Sequence, residues 1–169
     1  MVRNSKLERM NISEQPIDPE ITSNLAGASA EGAAMIGVKP DADPLSIVEA
    51  INTFVAKPPK GWFRKVDNWT DRALPLGSLW GMQMVRQFGW EWASITQHDQ
   101  GDAMAMGVFD KSRSLGIFPF EFVFGCLESK SYPTILLAFN MLLAGKIPEL
   151  EAGGYMNLMD GVHHVVPPR

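Results

Sequence analysis

Three kinds of residue in this chain could carry chemistry: one cysteine, three histidines and a scatter of carboxylates. A nucleophilic thiol needs a neighbouring base or a positive field to lower its pKa. Cys126 has Phe122, Val123, Phe124 and Leu127 around it in sequence and therefore reads as a buried structural cysteine. His163 and His164 are adjacent, so in a regular element their side chains diverge. A metal or acid–base site there would need carboxylates brought in by folding, such as Asp160, because zinc usually takes three or four converging ligands. His98-Asp99 reads as a turn, where both residue types serve as local hydrogen-bonding groups. Glu121, Glu128, Glu149 and Glu151 show no spacing that sets two carboxylates across a cleft, as paired acid–base catalysis requires. The chain has no Gly-rich phosphate loop, Gly-x-Ser-x-Gly elbow or His-Glu-x-x-His helix. No catalytic residue, metal ligand or cofactor is assigned.

The sharper constellation is aromatic. Trp90 to Thr96 alternates like a strand, His98 to Asp102 is turn-like, and Ala103 to Phe109 alternates again. Folding this hairpin about Asp99-Gln100 puts Ala93, Ile95, Met104 and Met106 on one face. The other face then carries Trp90, Trp92, Ser94, Ala103, Ala105, Gly107 and Phe109. A second turn about Lys111-Ser112 sets Gly116 beside Gly107 and Phe118 beside Ala105. The resulting trough of Gly107 and Gly116 lies beneath Trp92 and is walled by Phe109 and Phe118. Two readings follow. Helices or an indole cover the glycines, as aromatic side chains do over sheet glycines, or the trough takes an apolar ligand, a peptide or a second subunit, with the tryptophans as anchors. The candidate binding residues are thus Trp90, Trp92, Gly107, Phe109, Gly116 and Phe118.

The elements that must position them are legible from caps and periods. Asp43 is an N-cap and Pro44 suits the first helical position; Leu45, Val48, Ile51 and Val55 follow at helical spacing. Lys57-Pro58-Pro59-Lys60-Gly61 ends that helix as a linker. A second helix spans about Asp71 to Phe88, with Pro75 in or before its first turn, and Gly89 stands at its C-terminal cap. Its stripe is Leu76, Trp80, Met84 and Phe88, and Gly77 and Gly81 leave a notch beside it for a close neighbour. Leu115 to Phe118 makes a third strand, giving a three-stranded antiparallel meander. Helices over Phe120–Leu127 and Pro133–Ala144 follow, the latter stopped by Gly145. Residues 1 to about 43, rich in Ser, Asn, Pro, Gly and Ala, read as a loosely ordered leader in which Leu25 to Gly37 makes a short, weak helix. The domain proper is 44–169.

The segment Leu74 to Leu143 resembles an uncharacterised bacterial family, the domain of unknown function numbered 3806. The likeness lies in a helix carrying Leu76-Gly77, then Gly89-Trp90-Glu91-Trp92 at the helix-to-strand join, an alternating hairpin, and Phe118-Pro119 leading into another helix. The resemblance implies a helix–hairpin–helix fold and brings no activity with it.

Composition sets the outer bounds. With 46% hydrophobic and 20% charged residues in 169, the chain can bury one sizeable core. A net charge of −4 and scattered basic residues argue against nucleic acid, which needs clustered Lys and Arg. The nearest cluster, Lys57, Lys60, Arg64 and Lys65, is followed by Asp67 and Asp71 and reads as a solvated linker. Ile135 to Ala144 is about half the roughly 20 residues needed to span a bilayer. No signal-like run opens the sequence, and a single cysteine cannot form an internal disulfide. The expectation is a cytoplasmic α+β protein, a non-enzymatic binding or interaction module whose partner is another protein or a second copy of itself. The alternative is a small-molecule enzyme or ligand-binding protein built on His163, His164 and nearby acids.

Overall fold

Two Asp-Pro steps start the first two helices. The Asp18 carboxylate accepts from the Glu20 N–H at 2.8 Å, and the Asp43 carboxylate accepts from the Ser46 N–H at 3.1 Å. In both, proline fills the first helical turn, where its missing N–H costs nothing. The computed structural model describes residues 11–59, 70–129 and 131–162. In chain order it comprises β1 (Ile12–Pro16), α1 (Pro19–Ile36), α2 (Pro44–Ala56), α3 (Thr70–Phe88), β2 (Glu91–Gln97), β3 (Ala103–Phe109), β4 (Leu115–Ile117), α4 (Pro119–Ser129), α5 (Ile135–Leu143), β5 (Met156–Asn157) and α6 (Leu158–Val162). A 3-10 turn at His98–Gln100 joins β2 to β3. The fold is α+β, with six helices and a five-stranded mixed sheet among the described residues.

The meander β2–β3–β4 is present and antiparallel, but the sheet is wider than three strands. β1 adds antiparallel to β2, and β5 adds parallel to β4, giving the order β1-β2-β3-β4-β5. Both additions are short strands from polar or Gly-rich sequence, where alternation is too brief to read.

A loosely ordered leader is not what residues 11–43 form. They supply the edge strand β1 and the 18-residue helix α1, closed by Gly37 in the left-handed conformation. Small residues make α1 a packing element: Leu25, Ser29, Gly32 and Ala33 are buried on one stripe. At Gly32 a β-carbon would collide with the Pro75 carbonyl of α3 and come within 3.2 Å of the Leu79 β-carbon. The glycine that weakens helix propensity here is the one that allows this backbone approach. Arg86, near the end of α3, ties down the next loop by donating to the carbonyls of Ala42 at 3.0 Å and Pro40 at 3.3 Å.

α3 is the central helix. Leu76, Trp80 and Met84 are buried as the stripe predicts, and Phe88 is half-buried against Phe139 with ring centroids 5.1 Å apart. α2 contributes Ile47, Val48, Ile51 and Val55 to the same core, and Asn52 Oδ1 accepts from the Leu136 N–H at the start of α5. The notch of Gly77 and Gly81 is filled: Phe120 of α4 lies against Gly77, and Trp92 of β2 lies against Gly81.

The strand register corrects the expected one. The β2–β3 loop, 98–102, has an odd number of residues, with Gly101 and Asp102 at φ 69° and 59°. The hairpin is therefore centred on Gln100, and Trp92 pairs with Val108 while Ala93 pairs with Gly107. A one-residue slip exchanges the two faces of one strand relative to the other. The second turn is centred between Ser112 and Arg113, pairing Phe109 with Gly116 and Val108 with Ile117. The inner face, toward the helices, thus carries Trp92, Met106, Val108 and Ile117. The outer face carries Glu14, Ala93, Ile95, Ala105, Gly107, Phe109, Gly116 and Phe118.

Candidate functional site

The six aromatic and glycine candidates separate onto opposite faces of the sheet. Trp90, just before β2, is buried beside Phe88, with centroids 6.2 Å apart. Trp92 is half-buried on the inner face and stacked on Phe120 at 5.6 Å with 17° between planes. Both tryptophans therefore belong to the helix-covered side. Gly107, Phe109, Gly116 and Phe118 stay together on the outer face, where Trp92 does not cover them.

The trough between Gly107 and Gly116 is filled from within. The fully buried Phe109 ring lies across it, so that a β-carbon at Gly107 would come 2.7 Å from Phe109 Cζ and one at Gly116 would overlap the ring edge. Glycine at both positions leaves the floor for this ring. Phe118 and Tyr155 meet it edge-on, at centroid distances of 5.7 and 5.4 Å. Ala93 and Ile95 are buried beneath the same cluster, forming a small second core on the outer face.

Polar contacts hold that cluster in place. Arg113, at φ 56°, forks onto Glu14 of β1 with Nε–Oε2 2.7 Å and Nη2–Oε1 2.8 Å. Its Nη2 also reaches Glu91 of β2 at 2.9 Å, and its Nη1 donates to the Asp110 carbonyl at 2.9 Å. The Tyr155 hydroxyl donates to Glu14 Oε2 at 2.8 Å, and the Tyr155 N–H donates to the Arg113 carbonyl. The hydrogen bond from Arg113 chiefly holds the Glu14 carboxyl below its usual range, against the opposing effect of burial. Burial, then the hydrogen bond to Glu14, pushes the Tyr155 phenol up to about 12. Burial alone would raise Asp110, but the Ser112 hydroxyl, Leu115 N–H and Ser114 hydroxyl outweigh it and bring its carboxyl down. This set is a clamp between the β3–β4 turn, the edge strand and the segment leading into β5.

Beside the clamp opens a cleft of about 770 Å³. Ala105 and Phe118 of the outer sheet face form one wall. Met141 of α5 and the segment with Ile147, Pro148 and Leu150 form another. Tyr155, Met156, Leu158 and Val162 close the third side. Polar groups stand among them: the amides of Gln97, Gln100 and Asn157 and the carboxylates of Glu121 and Asp160. An apolar body with a few convergent polar groups is the usual constitution of a small-molecule site, and this volume falls within the ordinary range. Of the six candidates from sequence, Phe118 alone lines the cleft. Tyr155 and the 147–162 wall were missed because they lie in a stretch without a strong period, and a parallel two-residue strand leaves no such signal; Met141 lies on the expected helix, but nothing local shows that it faces a cleft.

The remaining reactive groups take structural places. Cys126 is buried, and burial pushes its thiol up, away from the thiolate a nucleophile needs. His98 sits in the 3-10 turn, with Nδ1 2.6 Å from Asp102 Oδ1 and Nε2 3.0 Å from Ser13 Oγ. His163 and His164 lie outside the described residues, as do Lys60, Arg64, Lys65 and Asp67 of the basic linker. Among the described residues no group of three His, Cys, Asp or Glu is arranged to hold a metal, and no helix is long and apolar enough to cross a membrane. Compared with known proteins, the chain matches no family model, no curated protein and no solved structure.

Proposed function

We propose that this protein is a non-enzymatic binding module whose ligand is a small molecule with an apolar body, held in the cleft between the outer sheet face and residues 147–162. The cleft itself carries the reading: about 770 Å³, walled by Ala105, Phe118, Met141, Leu150, Tyr155 and Val162, with polar groups around the apolar walls. Phe118 and Tyr155 are braced by Phe109, and Tyr155 is further pinned by Glu14, so these walls are pre-formed, and pre-formed walls reduce the ordering cost of binding. Trp92, the anchor expected for a protein partner, faces the helices, which shifts the binding surface to the opposite side of the sheet. The family resemblance over Leu74 to Leu143 remains part of this proposal. It is supported by the order α3, the Gly89-Trp90 join, the β2–β3 hairpin, and Phe118-Pro119 at the start of α4. A cytoplasmic setting fits the single buried free thiol.

The test is a titration with Nile red, a neutral dye whose emission rises in apolar surroundings. The wild-type protein is expected to bind one equivalent saturably. Ala105→Phe places a ring in the cleft and is expected to abolish the signal while far-UV circular dichroism stays unchanged. Saturable binding of equal strength by a folded Ala105→Phe protein would overturn the assignment.

A further inference from the structure

The charges around the cleft narrow the ligand class, granted that the cleft is the binding site. Of the residues that line it, Glu121 and Asp160 are the charged ones, and none of the described lining residues is Lys, Arg or His. Asp160 accepts from the Asn157 amide at 3.1 Å, a partner that is itself neutral. The nearby guanidinium, Arg113, is engaged by two carboxylates, Glu14 and Glu91, so that group as a whole is net negative. An anion entering this space would be repelled by both lining carboxylates, whereas a cation would be attracted by them. Phe118 and Tyr155 add aromatic rings, whose faces attract organic cations.

We infer that the cleft binds an amphiphilic organic cation, an ammonium group on an apolar body, in preference to its anionic counterpart. The apolar body lies against Phe118, Met141, Leu150 and Val162, and the ammonium group sits by Glu121 and Asp160. Reversing the sign of the ligand's charge changes its interaction with both carboxylates at once, so a preference of about tenfold is expected. Because both side chains are exposed, that preference falls as salt rises.

Competition against bound Nile red tests this with three probes built on a ten-carbon chain and used below their micellar concentrations: decyltrimethylammonium, decanol and decanoate. The expected order is decyltrimethylammonium tightest, decanol next and decanoate weakest, with about tenfold between the two ions at low salt. In the double variant Glu121→Gln and Asp160→Asn, which keeps the side-chain shapes, the ratio of the ions is expected to fall to near unity. Decanoate binding as tightly as decyltrimethylammonium, or an unchanged ratio in the double variant, would overturn the charge preference while leaving the cleft as the site. Failure of all three probes, decanol included, to displace the dye would overturn the cleft assignment together with this inference.

Discussion

The indole of Trp92 rests on Gly81, and a methyl group at Gly81 would overlap its six-membered ring. One turn earlier on α3, Gly77 receives Phe120, and the two rings stack on each other. Sheet and α4 are thus both keyed to α3 through one pair of glycines. This relationship makes Trp92 a structural residue and directs the search for a ligand to the other face.

Trp92→Ala is expected to cost about 3 kcal/mol of unfolding free energy, as truncation of a large ring in a packed layer usually does. Gly81→Ala alone should also destabilise, by about 1–3 kcal/mol from overpacking, although alanine favours helix by about 1 kcal/mol over glycine. In the Trp92→Ala background the clash is gone, and Gly81→Ala should become neutral or stabilising. A urea double-mutant cycle measures this coupling. Additive effects would show that the two residues do not touch.

Gly116→Val should destabilise the protein by about 2 kcal/mol or more, because the new side chain would displace the Phe109 ring from its trough. The usual preference of strands for valine works in the opposite direction and would dominate if the trough were empty. A thermal midpoint at or above the wild-type value would contradict this placement of Phe109.

Gly32→Val separates an integral α1 from a loosely attached one. The clash is with the Pro75 backbone, which cannot rotate away, so a loss of about 2 kcal/mol or more is expected by chemical denaturation. An unchanged midpoint would return residues 19–36 to the status of a leader.

The clamp predicts two pH windows. Glu14 is held below its unfolded value of 4.5, so its contribution is full above that value and is lost as pH falls through the lower folded value. Tyr155 is raised from 10 to about 12, so its contribution is full below pH 10 and is lost as pH rises toward 12. Glu14→Gln should flatten the acid limb of a stability–pH profile, and Tyr155→Phe the alkaline limb. Parallel profiles for wild type and Glu14→Gln below pH 4.5 would show that the Arg113 contact adds nothing to the fold.

Much of the scaffold was legible because local rules agree with it. Asp43-Pro44, the Leu76–Trp80–Met84 stripe and the Gly89 and Gly145 caps each fall where the structure uses them. The alternating strands were equally plain, and the notch of Gly77 and Gly81 correctly announced close neighbours. Asp18-Pro19 carried the same start signal as Asp43-Pro44, yet small residues along α1 suggested weak packing. The structure uses their smallness for backbone contact with α3. Register was hidden in the conformations of Gly101 and Asp102, because an even or odd loop length decides which face each tryptophan takes. The cleft was the least legible feature, since its far wall depends on the long-range Tyr155–Glu14 contact.

The assignment of the cleft is tested most directly by methionine-methyl NMR during titration with decanol, which carries no charge. Met141 and Met156 line the cleft, whereas Met84 is buried in the helical core and Met35 lies at the end of α1. The account predicts saturable shifts at Met141 and Met156, with Met84 and Met35 unmoved. Shifts centred on Met84 or Met35, or none at Met141 and Met156, would contradict it.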